Sequence, residues 1–171
     1  MRASPFAAVS QDLGACRLEP LVPVVAEAAA ARLSQMDPWL RLGYHAAALA
    51  RYLTAESAAL TRWAITRDGA VSGVVAVRFP WLRGPYLELL AVLPEAQRDG
   101  LGAAVLGWLQ EEAAREGNLW VMVSAFNAGA RRFYARHGFA EIGRVPDLVR
   151  PGQDEVLMRW VPARGVTSGA D

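Results

Sequence analysis

One stretch restricts this chain more than any other. An apolar strand, Leu90-Ala91-Val92-Leu93, is stopped by Pro94, and a short loop then gives way to a helix opening on Gly100-Leu101-Gly102. Proline cannot donate to a strand ladder, so the strand must end there. Gly100 can take the positive φ of a tight turn, and neither glycine carries a Cβ to hold a bulky anion away. The first N–H groups of the following helix lack intrahelical partners and lie at the positive end of its dipole. Such a strand, turn and helix start can hold a pyrophosphate. Glycines alone do not say which one. A dinucleotide fingerprint needs Gly or Ala where Val105 stands, and a P-loop needs a lysine in a chain that has none. Both readings are excluded.

The rest of the chain alternates between periodicities. A short strand at 16–18 precedes an Ala-rich segment, 21–33, with apolar residues at helical spacing. Asp37-Pro38 has the form of an N-cap with proline at N1, and opens a second helical region divided by Gly43 before 44–53. Strands follow at 61–66 and 70–79, joined by Asp68-Gly69, a strong hairpin signal. Strand 86–93 is apolar but for Glu88, which by alternation shares a face with Leu90 and Val92. A helix over 100–115, a strand over 119–126 and a helix over 127–137 capped by Gly138 come next. Strands 139–144 and 155–161 flank a loop at 145–153, and a disordered tail follows from 162 to 171. The order predicts one α/β (α+β) domain over 1–161, a largely antiparallel sheet with about four helices.

Composition removes several function classes. The net charge is +1, which gives no electrostatic case for gripping a nucleic-acid backbone, so an RNA-binding α/β domain is the most distant reading. No apolar run reaches membrane-span length, and residues 1–9 carry no export signal, which places the chain in the cytoplasm. Cys16 is the only cysteine and His45 and His137 the only histidines, so neither a disulfide nor a metal site is expected. All 18 basic residues are Arg, a bias that suggests a GC-rich bacterial source.

Two motifs in order carry a family resemblance. The strand 90–94 running into Gln97-x-x-Gly100-x-Gly102 resembles motif A of the GNAT superfamily of acetyltransferases. Downstream, Asn127, Ala130, Tyr134 and Gly138-Phe139 match its motif B, N-x-x-A-x-x-x-Y-x-x-x-G-F. The resemblance covers 61–161 and implies an acetyl-CoA-dependent N-acetyltransferase that acts directly on a primary amine of a small molecule or peptide. It implies that Gln97, Arg98, Asp99, Gly100, Leu101, Gly102 and Ala103 hold the pyrophosphate of coenzyme A, and that Ala91, Val92 and Leu93 bind its pantetheine arm. A sheet splayed between this strand and the next would leave room for that arm. Asn127, Ala130, Arg131 and Tyr134 would face the same ligand, with Tyr134 as general acid toward the departing thiolate.

For the base, Glu88 is the candidate, since a carboxylate in an apolar strand is costly unless paired or used. Trp39, Tyr44 and Trp81 are candidate acceptor contacts. The C-terminal half also resembles ribosomal-protein N-terminal acetyltransferases, which carry a glutamate base where this chain has Met122. Those enzymes also have paired tyrosines where Leu148 and Val149 stand, so their peptide substrate does not transfer. A non-catalytic acyl-CoA-binding module is the alternative function. The chain is expected as a monomer or homodimer.

Overall fold

The computed structural model describes residues 5–163; the tail expected from 162 onward therefore lies almost wholly outside the described residues. The elements are β1 (Gln11–Asp12), β2 (Arg17–Pro20), α1 (Pro23–Leu33), α2 (Ala46–Thr54), β3 (Leu60–Arg67), β4 (Ala70–Trp81) and β5 (Gly84–Val92). After them come α3 (Leu101–Ala114), β6 (Leu119–Ser124), α4 (Ala128–Arg136), β7 (Ala140–Arg150) and β8 (Gln153–Trp160). They build one eight-stranded sheet in the order β1-β2-β3-β4-β5-β6-β8-β7. Every neighbouring pair is antiparallel except β5 and β6. The mixed α/β, largely antiparallel architecture with four helices is the one expected. No helix among the described residues is long and apolar enough to cross a membrane.

Local chemistry explains most element ends. Pro23 sits in the first turn of α1, where its missing N–H costs nothing. Asp68 and Gly69 both have positive φ, 50° and 79°, and turn β3 into β4 as the hairpin signal predicts. The second helical region, in contrast, begins only at Ala46. Residues 36–44 close an irregular set of turns, with Leu42 N bonded to Pro38 O, Gly43 N to Leu40 O and Tyr44 N to Trp39 O. Bonds of mixed span cannot propagate a helix. Asp37-Pro38 therefore starts no helix, and the segment is a strap between α1 and α2.

Two cores flank the sheet. One gathers Trp63, Val75, Val77 and Leu87 under α3 and α4, and the other sets Val74, Ala76, Leu89 and Ala91 under α1 and α2. Trp108 ties α3 to the first, edge-on to Trp63 at 5.5 Å and to Phe6 at 5.9 Å between centroids. Such aromatic contacts hold the middle of α3 against β3.

A β-bulge alters the parity of β5. Ala76 pairs with Leu89 and Val77 with Leu87, so Glu88 is the extra residue. Leu90 and Val92 pack toward the α3 side, whereas Glu88 faces Arg78 and Tyr52 of α2. Glu88 thus does not share a face with Leu90 and Val92, because strict alternation fails at a bulge. A larger slip lies between β7 and β8, where Val145 pairs with Glu155 but Arg150 with Gln153. The expected loop at 145–153 is mostly strand, with 146–149 looped out from the ladder.

Candidate active site

The sheet opens at the only parallel pair among the described residues. β5 and β6 are in register at just two places, Tyr86 with Trp120 and Leu87 with Val121, and beyond these they diverge. Leu93 N–H donates to Ser72 O at 2.8 Å. By the alternation of an antiparallel ladder, the amide groups of Ala91 also point to β4, and those of Leu90 and Val92 point into the gap. Of the three strand residues expected to bind pantetheine, Val92 therefore offers its backbone to the gap. Leu90, which sequence reasoning passed over, does so as well.

At one end of the gap stands the start of α3. Gly100, at φ 75°, is its N-cap and supplies no side-chain cap, and the first intrahelical bond runs from Ala104 N to Gly100 O. The N–H groups of Leu101, Gly102 and Ala103 precede that bond. A Cβ at Gly100 would meet nothing within 4 Å, so the approach is open. These features fit a pyrophosphate. Gln97 Nε2 donates to Val92 O at 3.1 Å and braces the loop against β5, while Arg98 is exposed. Asp99 forms an ion pair of 2.5 Å with Arg67 of β3, which neutralises the carboxylate that sequence reading set beside the phosphates. Gly102 lies against Phe133 of α4 and Val92.

At the other end is a cavity of about 340 Å³ bounded by the strap, α2, β5, β6, α4 and the looped-out part of β7. Asn127, Ala130 and Tyr134 line it, as the motif spacing predicts. Asn127 also caps α4, its Oδ1 accepting from Ala130 N at 3.1 Å. Arg131 is held by Glu141 at 2.6 Å. Tyr134 is buried, packed edge-on against Phe133 and Phe139. Burial, and then neighbouring Tyr86, holds its phenol well above the usual tyrosine range, so it stays protonated. Trp39 and Tyr44 of the strap line the cavity, but Trp81 does not; it stacks on Tyr86, which does, at 4.7 Å.

Two carboxylates reach this chamber, in different states. Glu88 is taken up by the Arg78 guanidinium, Nε to Oε2 at 2.5 Å and Nη2 to Oε1 at 3.2 Å. The Tyr52 hydroxyl lies close to Glu88 but is left buried without hydrogen-bond geometry to any partner. Burial, with the Glu88 charge, pushes that phenol far up. Glu155 of β8 is only 4% exposed and accepts from Ser124 Oγ at 2.7 Å. Burial raises its pKa, and the serine hydrogen bond offsets part of the rise. Tyr86, between the two acids, is pushed up to about 12, chiefly by burial and then by Glu88 and Glu155.

Sequence reasoning missed Glu155, Ser124, Tyr52 and Tyr86. Glu155 lies within β8, outside both motifs, and only the pairing of Ser124 with Glu155 across β6 and β8 shows that the two share a wall.

A splayed mixed sheet, with a gap leading from an uncapped helix start to a chamber holding a protonated tyrosine, defines the acetyltransferase class of fold. The chain belongs to the acetyltransferase (GNAT) family, whose model matches residues 27–139. Acetyltransferase Atu2258 of Agrobacterium fabrum is 38% identical over 69 residues, 40% of this chain and 47% of that protein. The uncharacterized N-acetyltransferase MJ1530 of Methanocaldococcus jannaschii is 32% identical over 94 residues, 53% of this chain and 60% of that one. The chain thus spans about half the length of the curated relatives it matches. Among solved structures, the ribosomal-protein-S18-alanine N-acetyltransferase from Escherichia coli superposes with a TM-score of 0.66 at 20% identity, over 90% of this chain and 98% of that one. An aminoglycoside 6'-N-acetyltransferase complexed with coenzyme A gives 0.66 at 12%, over 84% and 96%. At such identities both show a common fold, and neither fixes the acceptor. Acetyl-CoA is the acyl donor of the family.

Proposed function

We propose that this chain transfers an acetyl group from acetyl-CoA to a primary amine, with Tyr134 as proton donor to the departing sulfur. The observation that carries this reading is the continuity of the gap. Val92 adjoins Gly102 and Gln97 at the α3 start, and Leu90, two residues back on the same strand, lines the chamber where Tyr134 lies. Acetyl-CoA supplies the acetyl group already activated as a thioester. The N–H groups of Leu101, Gly102 and Ala103 would hold its pyrophosphate, with Gln97 bracing the loop. Leu90 and Val92 would hold its arm as an added strand does, and a backbone N–H aimed at the acetyl oxygen would stabilise charge developing there. Asn127 and Ala130 would border the arm where it enters the chamber.

A phenol held protonated hydrogen-bonds a forming thiolate well but gives its proton up reluctantly. Transfer from Tyr134 is therefore easiest when the reacting nitrogen returns a proton in the same step. Glu88 is less suited to the base role expected of it, because both its oxygens are engaged by Arg78. It would shape the chamber wall. One buried cysteine and an Arg-only basic set support a reducing, bacterial cytoplasm as the setting.

The test is a screen of primary amines with acetyl-CoA, read by release of free thiol. Turnover with any amine is the expected result. Tight coenzyme A binding without turnover across a broad panel would favour the non-catalytic acyl-CoA-binding module.

A further inference from the structure

Glu155 is the one charged group of the chamber that the reading above leaves without a task. Among the described residues it has no ion-pair partner, and its contact is the Ser124 hydroxyl at 2.7 Å. A carboxylate has about four acceptor sites, and one serine satisfies one of them. Burying an unpaired charge is costly, so a buried acid kept beside a cavity needs a partner that arrives from outside. The walls around it describe that partner. Trp39, Tyr44, Tyr86 and Tyr134 present rings, and Leu42, Leu49 and Val149 present aliphatic surface. Aromatic faces attract cations, and the negative charge of Glu155 already bears on Tyr44 and Tyr86. Arg78 is committed to Glu88 on the far wall and does not compete.

We propose that Glu155 receives the ammonium group of the acceptor and takes its proton, and that the acceptor is a compact monoamine on an aromatic or aliphatic body. The inference rests on the transferase reading and names the acceptor class for that same chamber. The step is a simple proton transfer. One N–H bond of the ammonium breaks, an O–H bond forms on Glu155, the nitrogen keeps the electron pair, and the proton passes to water when Glu155 re-ionises. A carboxyl whose pKa lies above the ordinary value, set against an alkylammonium near 10.4, is a better match for this transfer than an exposed glutamate. The chamber of about 340 Å³ must also admit the acetyl end of the donor, which leaves room for a body of few rings. Of the other polar groups on these walls, Glu88 is held by Arg78, Asn127 caps α4 and Ser124 is bonded to Glu155, so a polyhydroxylated or polycationic amine would be left with phenol hydroxyls as partners beside Glu155. The orphan hydroxyl of Tyr52 offers one.

The test reads binding, so it does not depend on turnover. Phenethylamine and its neutral isostere 2-phenylethanol are titrated calorimetrically into protein saturated with coenzyme A, at pH 8. The amine should bind at least about tenfold more tightly than the alcohol. Glu155→Gln should erase that preference and leave coenzyme A affinity within about twofold, while Glu155→Asp, which keeps the charge, should retain part of it. Amine affinity should fall as pH drops and Glu155 is neutralised, a fall absent from the Gln variant. The other groups of the chamber do not mimic this: Tyr44, Tyr86 and Tyr134 have raised values, Ser124 does not titrate, neighbouring Asp154 is paired with Arg144, and Glu88, paired with Arg78, is the same in the wild type and the Gln variant. Equal binding of amine and alcohol to the wild type, or a Gln variant that still prefers the amine, overturns the proposal. Thiol release with phenethylamine alongside either result would leave the transferase reading standing. No thiol release from any amine, with the Gln effect intact, would sink the transferase reading and with it the proton transfer, and would leave Glu155 as an ammonium-binding group alone.

Discussion

At the residue scale, Tyr134 and Glu155 pose opposite problems for a folded chain. Tyr134 is neutral and well packed, so Tyr134→Phe keeps ring contacts with Phe133 and Phe139 and should fold normally. The expected loss is in kcat, at least about tenfold where chemistry limits the rate, with coenzyme A binding unchanged. Wild-type kcat in that variant would return Tyr134 to a packing role. Glu155 is buried and ionisable, and its raised pKa ties stability to pH. A folded state that holds a proton more tightly than the unfolded chain gains stability from it below the ordinary value of 4.5, and loses that gain as pH rises through the folded value. Glu155→Gln carries the neutral form at every pH. It should therefore melt above the wild type at pH 8, by about 2–4 °C for each kcal/mol relieved, and the gap should close below pH 4.5. A variant that melts lower at pH 8 would mean that Glu155 has a stabilising partner after all.

At the element scale, what could be read from the sequence was whatever chemistry a few neighbouring residues decide. Pro94 ending β5, Asp68-Gly69 turning β3 into β4, and Gly100 opening α3 are all local, and all stand in the structure. The motif spacing also brought Asn127, Ala130 and Tyr134 onto one wall. What escaped depends on partners far along the chain. The bulge at Glu88 exists only as a mismatch of β5 with β4, and the wall shared by Ser124 and Glu155 only as a register between β6 and β8. Asp37-Pro38 misled for a related reason: the local N-cap signal was outweighed by the turns that carry the strap across the chamber. Gly73 is a further non-local constraint. A Cβ there would lie 2.2 Å from the carbonyl oxygen of Ala91, which is backbone and cannot swing aside. Gly73→Ala should cost about 1–3 kcal/mol by denaturant unfolding, as overpacking does. A cost below about 0.5 kcal/mol, the range of ordinary surface changes, would mean that β4 and β5 separate there with ease.

At the scale of the whole molecule, the strap ties distant parts together. Arg41 sets its guanidinium 4.1 Å from the Phe126 ring centroid, and its carbonyl accepts from Arg150 Nη1 at 3.1 Å, so the segment between α1 and α2 is fastened to the far half of the sheet. Arg150→Ala should raise KM for the acceptor about threefold or more, with KM for acetyl-CoA little changed, since the start of α3 is remote from that fastening. An equal rise in both constants would show that the strap also shapes the donor site. The two-rung join of β5 to β6 has its own consequence, one of cooperativity. Strands β1 to β5 and strands β6 to β8 are nearly separate ladders, held together by two residue pairs, by packing and by the strap. Such a seam lets each side open by itself, and amides at Leu90 and Val92 should exchange with solvent deuterium far faster than their neighbours Leu89 and Ala91. A ligand lying along the seam would supply the missing rungs. Coenzyme A should slow exchange on both sides at once, and turn a molecule that breathes as two leaves into one that opens as a unit.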